Sequence, residues 1–396
     1  VDQILALMKA FQTDPRDQKV DLVVGVYKNA LGEVPVMNAV KRAEARLLKE
    51  ETTKTYVGMA GDAQFRSFVP PLLLGDTSNV IADGRVTSLQ TPGGSGALKV
   101  GSDLLNSLRP EVRLWVSTPT WANHVPVAID AGLTVQQYPY FRQSDRGLDF
   151  DAMMSCLETN TQEADVILLH ACCHNPTGVD MTFDQWEKVT DLITARGLLP
   201  FVDCAYQGLG EGLEQDVAGL RHLAARVPEM LIASSFSKNF GIYRERTGAL
   251  SIISKSPGEL KKVQAAAETV IRSNYSMPPS HGARIVATVF SDPSLSEEWG
   301  DELTEMRERI SEMRTALRAK LEERKVTQDI SFLTDQKGMF SYTGFDVTAV
   351  EELRTSFGIY TAADGRMNVA GLSEENLDVV ADGFAAILRS RALPKV

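Results

Sequence analysis

The sequence predicts an α/β fold in which a large, doubly wound and mainly parallel sheet domain is joined to a smaller α/β domain. In the middle of the 396-residue chain, short β-rich runs alternate with helical patterns, as they do in βαβ units. The runs at 166–169 and 199–202 are apolar without alternation. This pattern is typical of strands that helices cover on both faces.

Six strands are predicted before residue 254, followed by one long helix. The strands are residues 86–89, 113–116, 166–169, 199–202, 230–233 and 249–253. Apolar residues then recur every three or four positions from Trp299 to Leu321, which predicts an amphipathic helix. Glu305 and Arg309 are spaced to pair on the outer face of this helix.

A different pattern after the long helix predicts the smaller domain. A mixed segment at 331–345 precedes a helix from about Val347, a short strand at 367–369 and a final helix from Glu374. We expect residues 1–34 and 306–396 to form the small domain and residues 35–305 the large domain. Because no linker rich in Pro, Gly or Ser separates them, the two domains should pack together.

Charge and apolar patterning argue against two classes of partner. The chain has 41 Lys and Arg against 52 Asp and Glu, a net charge of −11, and an acidic surface repels nucleic acid and anionic lipid headgroups. The apolar runs are far shorter than the roughly 20 residues that span a bilayer. We therefore expect neither nucleic acid nor a membrane as partner.

Cysteine usage predicts a cytoplasmic protein without a metal site. The four cysteines are too few for a secreted disulfide framework and include no CxxC pair. Cys172, Cys173 and His174 are adjacent in the chain, and such neighbours are not expected to turn toward one tetrahedral metal ion. Small buried residues are the simpler interpretation.

The residues that could carry chemistry follow the ends of the predicted strands, where ligands bind in open α/β sheets. The first strand leads into TPGGSGALKVG, a glycine turn and helix start that could bind a phosphate. Its glycines have neither the GxxxxGK[ST] nor the GxGxxG spacing. The later strand ends contribute Trp121, His124, Asn175, Asp203, Tyr206, Ser235, Ser237, Lys238 and Arg246.

Each of these residues also has a purely structural explanation. Asn175 before a proline is a common turn, Asp203 could cap a helix, and Lys238 could be a solvated loop residue. Their joint occurrence at one sheet edge favours a single cofactor site, because one cofactor requires phosphate donors, an aromatic face, a carboxylate and a lysine together.

Several motifs resemble those of pyridoxal-phosphate-dependent aminotransferases of the aspartate and aromatic amino-acid type, which are class I enzymes of fold type I. The motifs are HNPTG, DCAYQG, SSFSKNFGIYRER, TPGGSGAL and GRMNVAGL, and the resemblance covers nearly the whole chain. It implies a homodimer with active sites at the subunit boundary. The implied reaction is ping-pong transfer of an amino group from aspartate, phenylalanine or tyrosine to 2-oxoglutarate.

The resemblance also implies a role for each cofactor residue. Lys238 would form the Schiff base and then move the proton at the substrate Cα, and Asp203, supported by His124, would pair with the pyridine nitrogen. Tyr206 and Asn175 would hydrogen-bond the ring hydroxyl, and Trp121 would stack on the ring. The expected phosphate ligands are Gly94, Ser95, Ser235, Ser237, Arg246 and, from the partner subunit, Tyr56.

Two arginines match the substrate-binding arginines of the family. Arg366 would hold the α-carboxylate, beside Trp121 and Asn175, and Arg272 would reach a side-chain carboxylate from the neighbouring subunit. A surface ion pair is the alternative for Arg272. After it the family motif SNPP is replaced by Ser-Met-Pro-Pro, with Met277 in place of the amide.

The residues that bear on substrate preference favour different substrates. Ser95, Val34 and Met277 favour aromatic donors as well as dicarboxylates, whereas Val26 and Lys28 resemble the aspartate-specific pattern. A strict aspartate aminotransferase, or a pyridoxal-phosphate-dependent lyase or synthase of the same fold, is therefore the alternative. A dehydrogenase would need a GxGxxG turn, and a binding protein would not need Lys238.

Overall fold

The strands form one seven-stranded sheet and three two-stranded sheets in residues 3–390, the part of the chain that the computed structural model describes. The strands are β1 (Val20–Asp21), β2 (Val86–Pro92), β3 (Arg113–Thr118), β4 (Thr134–Pro139), β5 (Phe141–Arg142), β6 (Gly147–Leu148), β7 (Val166–His170), β8 (Leu199–Cys204), β9 (Met230–Ser235), β10 (Thr247–Ile253), β11 (Phe340–Tyr342), β12 (Ile359–Tyr360) and β13 (Arg366–Asn368).

The large sheet has the order β2-β10-β9-β8-β7-β3-β4. Only β10 runs against the others, since it pairs antiparallel with both β2 and β9 while the remaining pairs are parallel. All six predicted strands are present, so the mainly parallel sheet is confirmed. The sequence missed β4, an edge strand whose polar TVQQYP run is largely accessible to solvent.

Helices cover both faces of this sheet, and further helices pack together in the C-terminal region. They are α1 (Gln3–Thr13), α2 (Asn38–Glu50), α3 (Ala63–Leu74), α4 (Asn79–Ala82), α5 (Gly93–Leu108), α6 (His124–Asp130), α7 (Phe150–Asn160), α8 (Phe183–Arg196), α9 (Ala218–Arg226), α10 (Pro257–Asn274), α11 (His281–Ser291), α12 (Pro293–Glu323), α13 (Phe332–Asp335), α14 (Val347–Phe357) and α15 (Leu377–Ser390). Within the described residues, no helix has the length and apolarity needed to cross a membrane.

The alternation of side chains along β8 shows how the sheet separates two cores. Phe201 packs into the cluster formed with α5 and α10, whereas its neighbour Val202 packs into the cluster on the opposite face. Helix α5 lies so close to the sheet that a Cβ at Gly101 would stand 2.5 Å from the Phe201 ring. A glycine is therefore needed at this contact, and it allows α5 to lie directly against this face of the sheet.

The long helix α12 is confirmed and begins six residues earlier than the apolar spacing indicated. Asp292 caps it, accepting hydrogen bonds from the backbone N–H groups of Ser294 and Leu295. The predicted pairing of Arg309 with Glu305 is wrong. Arg309 donates instead to the carbonyls of Lys28, Asn29 and Leu372, which ties the N-terminal segment to α12.

The C-terminal elements follow the predicted order with shifted bounds. The short strand is β13, and Val369–Gly371 forms a 3₁₀ turn rather than continuing the strand. The last helix, α15, begins at Leu377 rather than Glu374, because the Asn376 side chain holds a turn by bonding the Ser373 N–H and the Gly371 carbonyl. Strand β1 joins this region by pairing with β12.

Candidate active site

A cavity of about 220 Å³ lies at the carboxyl ends of the central strands and brings most of the predicted cofactor residues together. Its lining residues lie at or after the ends of β2, β3, β7, β8 and β9. Arg246 comes just before the antiparallel β10, whose start lies at the same edge. The lining residues are Gly94, Ser95, Leu98, Trp121, His170, Cys172, Asn175, Asp203, Ala205, Tyr206, Ser235, Ser237, Lys238 and Arg246.

One end of the cavity is built to hold an anion. Helix α5 starts at Gly93, which adopts a φ of +74°, and a Cβ there would stand 2.5 Å from Nη2 of Arg246. The guanidinium thus rests on the glycine backbone at the helix N-terminus. Gly94 lies against Ser235, whose Oγ accepts a hydrogen bond from the Ser237 N–H at 3.2 Å. Free amide groups, hydroxyls and a positive charge converge there, as phosphate binding requires.

Asp203, at the end of β8, is a buried carboxylate held by a histidine. Nε2 of His124 donates to Oδ2 of Asp203 at 2.8 Å. Burial alone would raise the pKa of Asp203, but this hydrogen bond and electrostatic interactions with His124, His170 and Lys238 hold it below its usual range. Asp203 therefore presents a fixed negative charge to the cavity.

Lys238 lies in the loop after β9, with its Nζ 4.8 Å from the centre of the Tyr206 ring. Burial lowers the pKa of Lys238 to about 8; Asp203 opposes this shift, and the positive charges of Arg246 and Arg366 add to it. A substantial fraction of the amine is neutral near this pH, as a nucleophile or a proton acceptor must be. Burial also raises the pKa of Tyr206, which keeps the phenol protonated.

Arg366 lies on β13, in the two-stranded sheet β11-β13, and faces the same region. Its guanidinium lies 4.3 Å from the Phe340 ring centre and donates to Oδ1 of Asn175 at 3.3 Å and to the Val23 carbonyl at 3.1 Å. Its Nε is buried and has no hydrogen-bond partner among the described residues. An arginine with spare donors beside a cavity can receive a carboxylate.

A second cavity of about 320 Å³ adjoins the first and shares Trp121 and Asn175 with it. Arg366 lies at its wall. Most of the other lining groups are small or apolar, so this cavity offers space for a side chain beyond the arginine. The lining residues are Leu7, Thr120, Trp121, Ala122, Asn175, Pro176, Ala362, Ala363, Asp364 and Arg366.

Tyr56 and Arg272 do not line either cavity of this chain. Tyr56 is 89% exposed. Arg272 is also exposed, and its Nη1 donates to Oγ of Ser276 at 2.5 Å. Their assignment to the site of an opposite subunit stays a prediction.

Sequence reasoning missed three residues at the site. His170, whose pKa burial lowers to about 3, lines the first cavity, and Thr120 bonds both His170 and Nδ1 of His124. Cys172 also lines this cavity. The expectation that site residues follow strand ends could have identified His170, because β7 ends there. No pattern in the sequence marks Thr120.

Cys172 and Cys173 face one point together with Asp216, and the adjacent His174 is not part of this group. Cys173 adopts a φ of +50°, and the ligand atoms of Cys172, Cys173 and Asp216 lie within 4.8 Å of one another. Asp216, however, accepts hydrogen bonds from the N–H groups of Gly208, Gly210 and Glu211. Because this carboxylate is already used, we keep the prediction of no metal ion.

Comparison with known proteins agrees with the geometry. The profile of the family described as "Aminotransferase class I and II" matches residues 17–384. The aspartate aminotransferase of Salmonella typhi is 44% identical over 387 residues, 98% of each chain. The aromatic-amino-acid aminotransferase of Paracoccus denitrificans is 43% identical over 380 residues, 96% of this chain and 95% of that one.

A solved structure shows the same fold with its cofactor. The aromatic-amino-acid aminotransferase of Burkholderia pseudomallei, covalently bound to pyridoxal phosphate, superposes with a TM-score of 0.96 at 45% identity. The match covers 98% of this chain and 97% of that one. The predicted fold class is therefore confirmed.

The lowered pKa of Lys238 predicts a pH dependence for its reaction with an aldehyde. The neutral amine is the reactive form, and it gains as pH rises through about 8, whereas an ordinary lysine gains near pH 10.4. We expect the rate at which cofactor-free protein recombines with pyridoxal 5′-phosphate, followed by stopped-flow absorbance, to rise with a midpoint near pH 8. A midpoint above pH 10 would contradict the burial argument.

Proposed function

Because this chain belongs to the class I and II aminotransferases, we propose that it moves the amino group of aspartate, phenylalanine or tyrosine to 2-oxoglutarate at the cavity between Lys238 and Arg366. It is a transaminase, and its cofactor is pyridoxal 5′-phosphate. The observation that carries the site assignment is the placement of Lys238, Asp203 and Arg246 around one cavity.

The residues of the cavity fit this cofactor. The Gly94–Ser95 backbone, Ser235, Ser237 and Arg246 match its phosphate, and the Asp203 carboxylate matches a protonated ring nitrogen. Tyr206 and Asn175 offer a phenol and an amide to the ring hydroxyl, and Trp121 offers an aromatic face. When bound, the cofactor supplies an aldehyde for the amino group and an electron-withdrawing ring.

Each side chain has a separate role in the reaction. Lys238 would hold the cofactor and, when free, would take the proton from the substrate Cα and return one, which its lowered pKa permits. Asp203, oriented by His124, would hold a proton on the ring nitrogen. Trp121 would cover the ring and exclude water. Arg366 orients the substrate through its α-carboxylate.

The substrate side chain would lie in the second cavity, whose mostly apolar lining suits an aromatic ring. Ser95, Val34 and Met277 support acceptance of aromatic donors, and Arg272 supports dicarboxylates. Lys28, which pairs with Asp21 at 3.1 Å, and Val26 belong to the aspartate-specific pattern. A strict aspartate aminotransferase is the alternative.

We propose a homodimer with shared sites, in which Tyr56 and Arg272 complete the cavity of the opposite subunit. The exposure of both side chains in a single chain supports this assignment. A two-fold relation would make the two sites alike.

We keep the division into a small domain of residues 1–34 and 306–396 and a large domain of 35–305. It is supported by the pairing of β1 with β12, which joins the N-terminal and C-terminal segments.

We also propose a cytoplasmic location. It is supported by the four cysteines, which are free thiols.

The direct test of the site is to find the lysine that holds the cofactor. Borohydride reduction fixes the cofactor on its lysine, and peptide mapping should find it on Lys238. Lys238→Ala should bind cofactor without this attachment and be almost inactive. Lys255→Ala, which changes an exposed lysine near Glu229, is the control and should keep both label and activity. A label on another lysine would refute the assignment.

Shared sites predict complementation between two subunits that are each impaired toward aspartate. A mixture of Lys238→Ala and Arg272→Ala chains should regain activity toward aspartate, because one site of each heterodimer then carries neither change. Random exchange should restore about a quarter of the native sites. Mass spectrometry of the intact dimers would verify exchange. No recovery after verified exchange would show that Arg272 acts within its own subunit.

Dual specificity predicts that kcat/KM for phenylalanine lies within about a thousandfold of that for aspartate, a gap of about 4 kcal/mol. Arg272→Ala should lower kcat/KM for aspartate about 10- to 100-fold, the worth of a charge-assisted contact, and leave phenylalanine nearly unchanged. Lys261→Ala, an exposed change on the same helix, is the control. A larger gap in the native enzyme would establish the strict aspartate alternative.

A further inference from the structure

One stripe of α12 contacts both loops that carry the central site residues. Trp299, Leu303 and Arg307 are four residues apart, so they lie on the same face of the helix. None of them lines the cavities described above. Their partners are the loop that contains Lys238 and the loop that contains Tyr206.

Trp299 holds the Lys238 loop. Its Nε1 donates to the backbone carbonyl of Asn239, the residue after Lys238, at 2.8 Å. Its ring stacks on the Phe240 ring with a centroid distance of 4.8 Å. Trp299 is only 2% exposed, so water cannot easily replace this hydrogen bond.

Leu303 and Arg307 hold the Tyr206 loop at Gly208. Nη1 of Arg307 donates to the Gly208 carbonyl at 3.1 Å. Gly208 has a φ of +93°, and a Cβ there would stand 2.4 Å from Cδ2 of Leu303. This backbone therefore lies directly on the helix, two residues after Tyr206.

The two loops are also joined to each other. Nδ2 of Asn239 donates to the Gln207 carbonyl at 3.2 Å. The Gln207 side chain in turn donates to the carbonyls of Leu72 and Leu213. The backbone that follows each of the two site residues is thus fixed relative to α12.

We propose that Trp299 and Arg307 are positioning residues, which set the Lys238 amine against the Tyr206 phenol by fixing both loops to α12. The proposal rests on the roles of Lys238 and Tyr206 proposed above. Both residues act through backbone carbonyls and touch neither substrate nor cofactor. Small displacements of a reacting group cost catalytic rate, and a loosened loop admits water, which favours the protonated form of the Lys238 nitrogen whether it is free or joined to the cofactor.

The test uses Trp299→Phe in the cofactor-bound enzyme, since phenylalanine keeps an aromatic ring against Phe240 and removes the N–H donor together with part of the indole volume, a loss that the control shares. Trp115→Phe is the matched control. It removes a similarly buried indole N–H, which donates to Asp165 at 2.9 Å. Asp165 lies just before β7, at the edge of the sheet opposite the site. The measurements are kcat, KM, the melting temperature and the pH midpoint of the cofactor absorbance.

For Trp299→Phe we expect kcat to fall about tenfold, or about 1.4 kcal/mol, with KM unchanged within about twofold. The absorbance midpoint should move upward by about half a pH unit. Trp115→Phe should lower the melting temperature alone. If Trp299→Phe changes kcat and the midpoint no more than Trp115→Phe does, the proposal is overturned.

Arg307→Met provides a second route should Trp299→Phe fail to fold, because Arg307 is half-buried on the helix surface. It should also lower kcat and raise the midpoint, and no change in either would overturn the proposal. Borohydride mapping of the native enzyme and of both variants separates this test from that of the function. A label on Lys238 in all three proteins keeps the site assignment whatever the kinetic result, whereas a label elsewhere would refute the site itself.

Discussion

The ionised Asp203 carboxylate is the constraint on which the rest of the site depends. A buried charge is costly unless it is paired and hydrogen-bonded, and His124 donates to this carboxylate at 2.8 Å. The negative charge of Asp203 then affects both the cofactor ring and the Lys238 amine. It offers a partner to a cationic ring, and it partly offsets the burial that lowers the pKa of Lys238 to about 8. Asp203 therefore affects both the acid–base character of the amine and the electron demand of the cofactor.

The sheet explains why these groups meet. Parallel strands deliver their following loops to a single edge, so Trp121, Asn175, Tyr206 and Lys238 arrive from four different strand ends. The one antiparallel strand, β10, begins where the others end, and this direction brings Arg246 to the start of α5. The anion cradle thus depends on both strand directions.

The sequence predicted most of the sheet and of the cofactor site, because both follow from local patterns. Buried runs such as 166–169 show the central strands directly, whereas the edge strand β4 lacks an apolar run because most of its residues are accessible to solvent. Motif residues such as Asn175 and Lys238 line the cavity as expected.

Other features depend on contacts distant in the chain, which no local pattern encodes. The side chain of Arg309 bonds carbonyls of the N-terminal segment rather than a neighbour on its own helix. Thr120 joins the Asp203 network only because β3 and β7 are adjacent in the sheet. The turn before α15 is local, but it depends on the Asn376 side chain, which the apolar pattern does not show.

The most direct test of the account is the rate of proton removal from the substrate Cα when the Asp203 charge is removed. In Asp203→Asn, single-turnover loss of a Cα deuterium should slow about a hundredfold or more, while the substrate dissociation constant changes little. Asp203→Glu should retain part of the rate, and Asp165→Asn, which alters a buried carboxylate paired with Arg113, should retain all of it. An unchanged rate in Asp203→Asn would contradict the role given to this carboxylate.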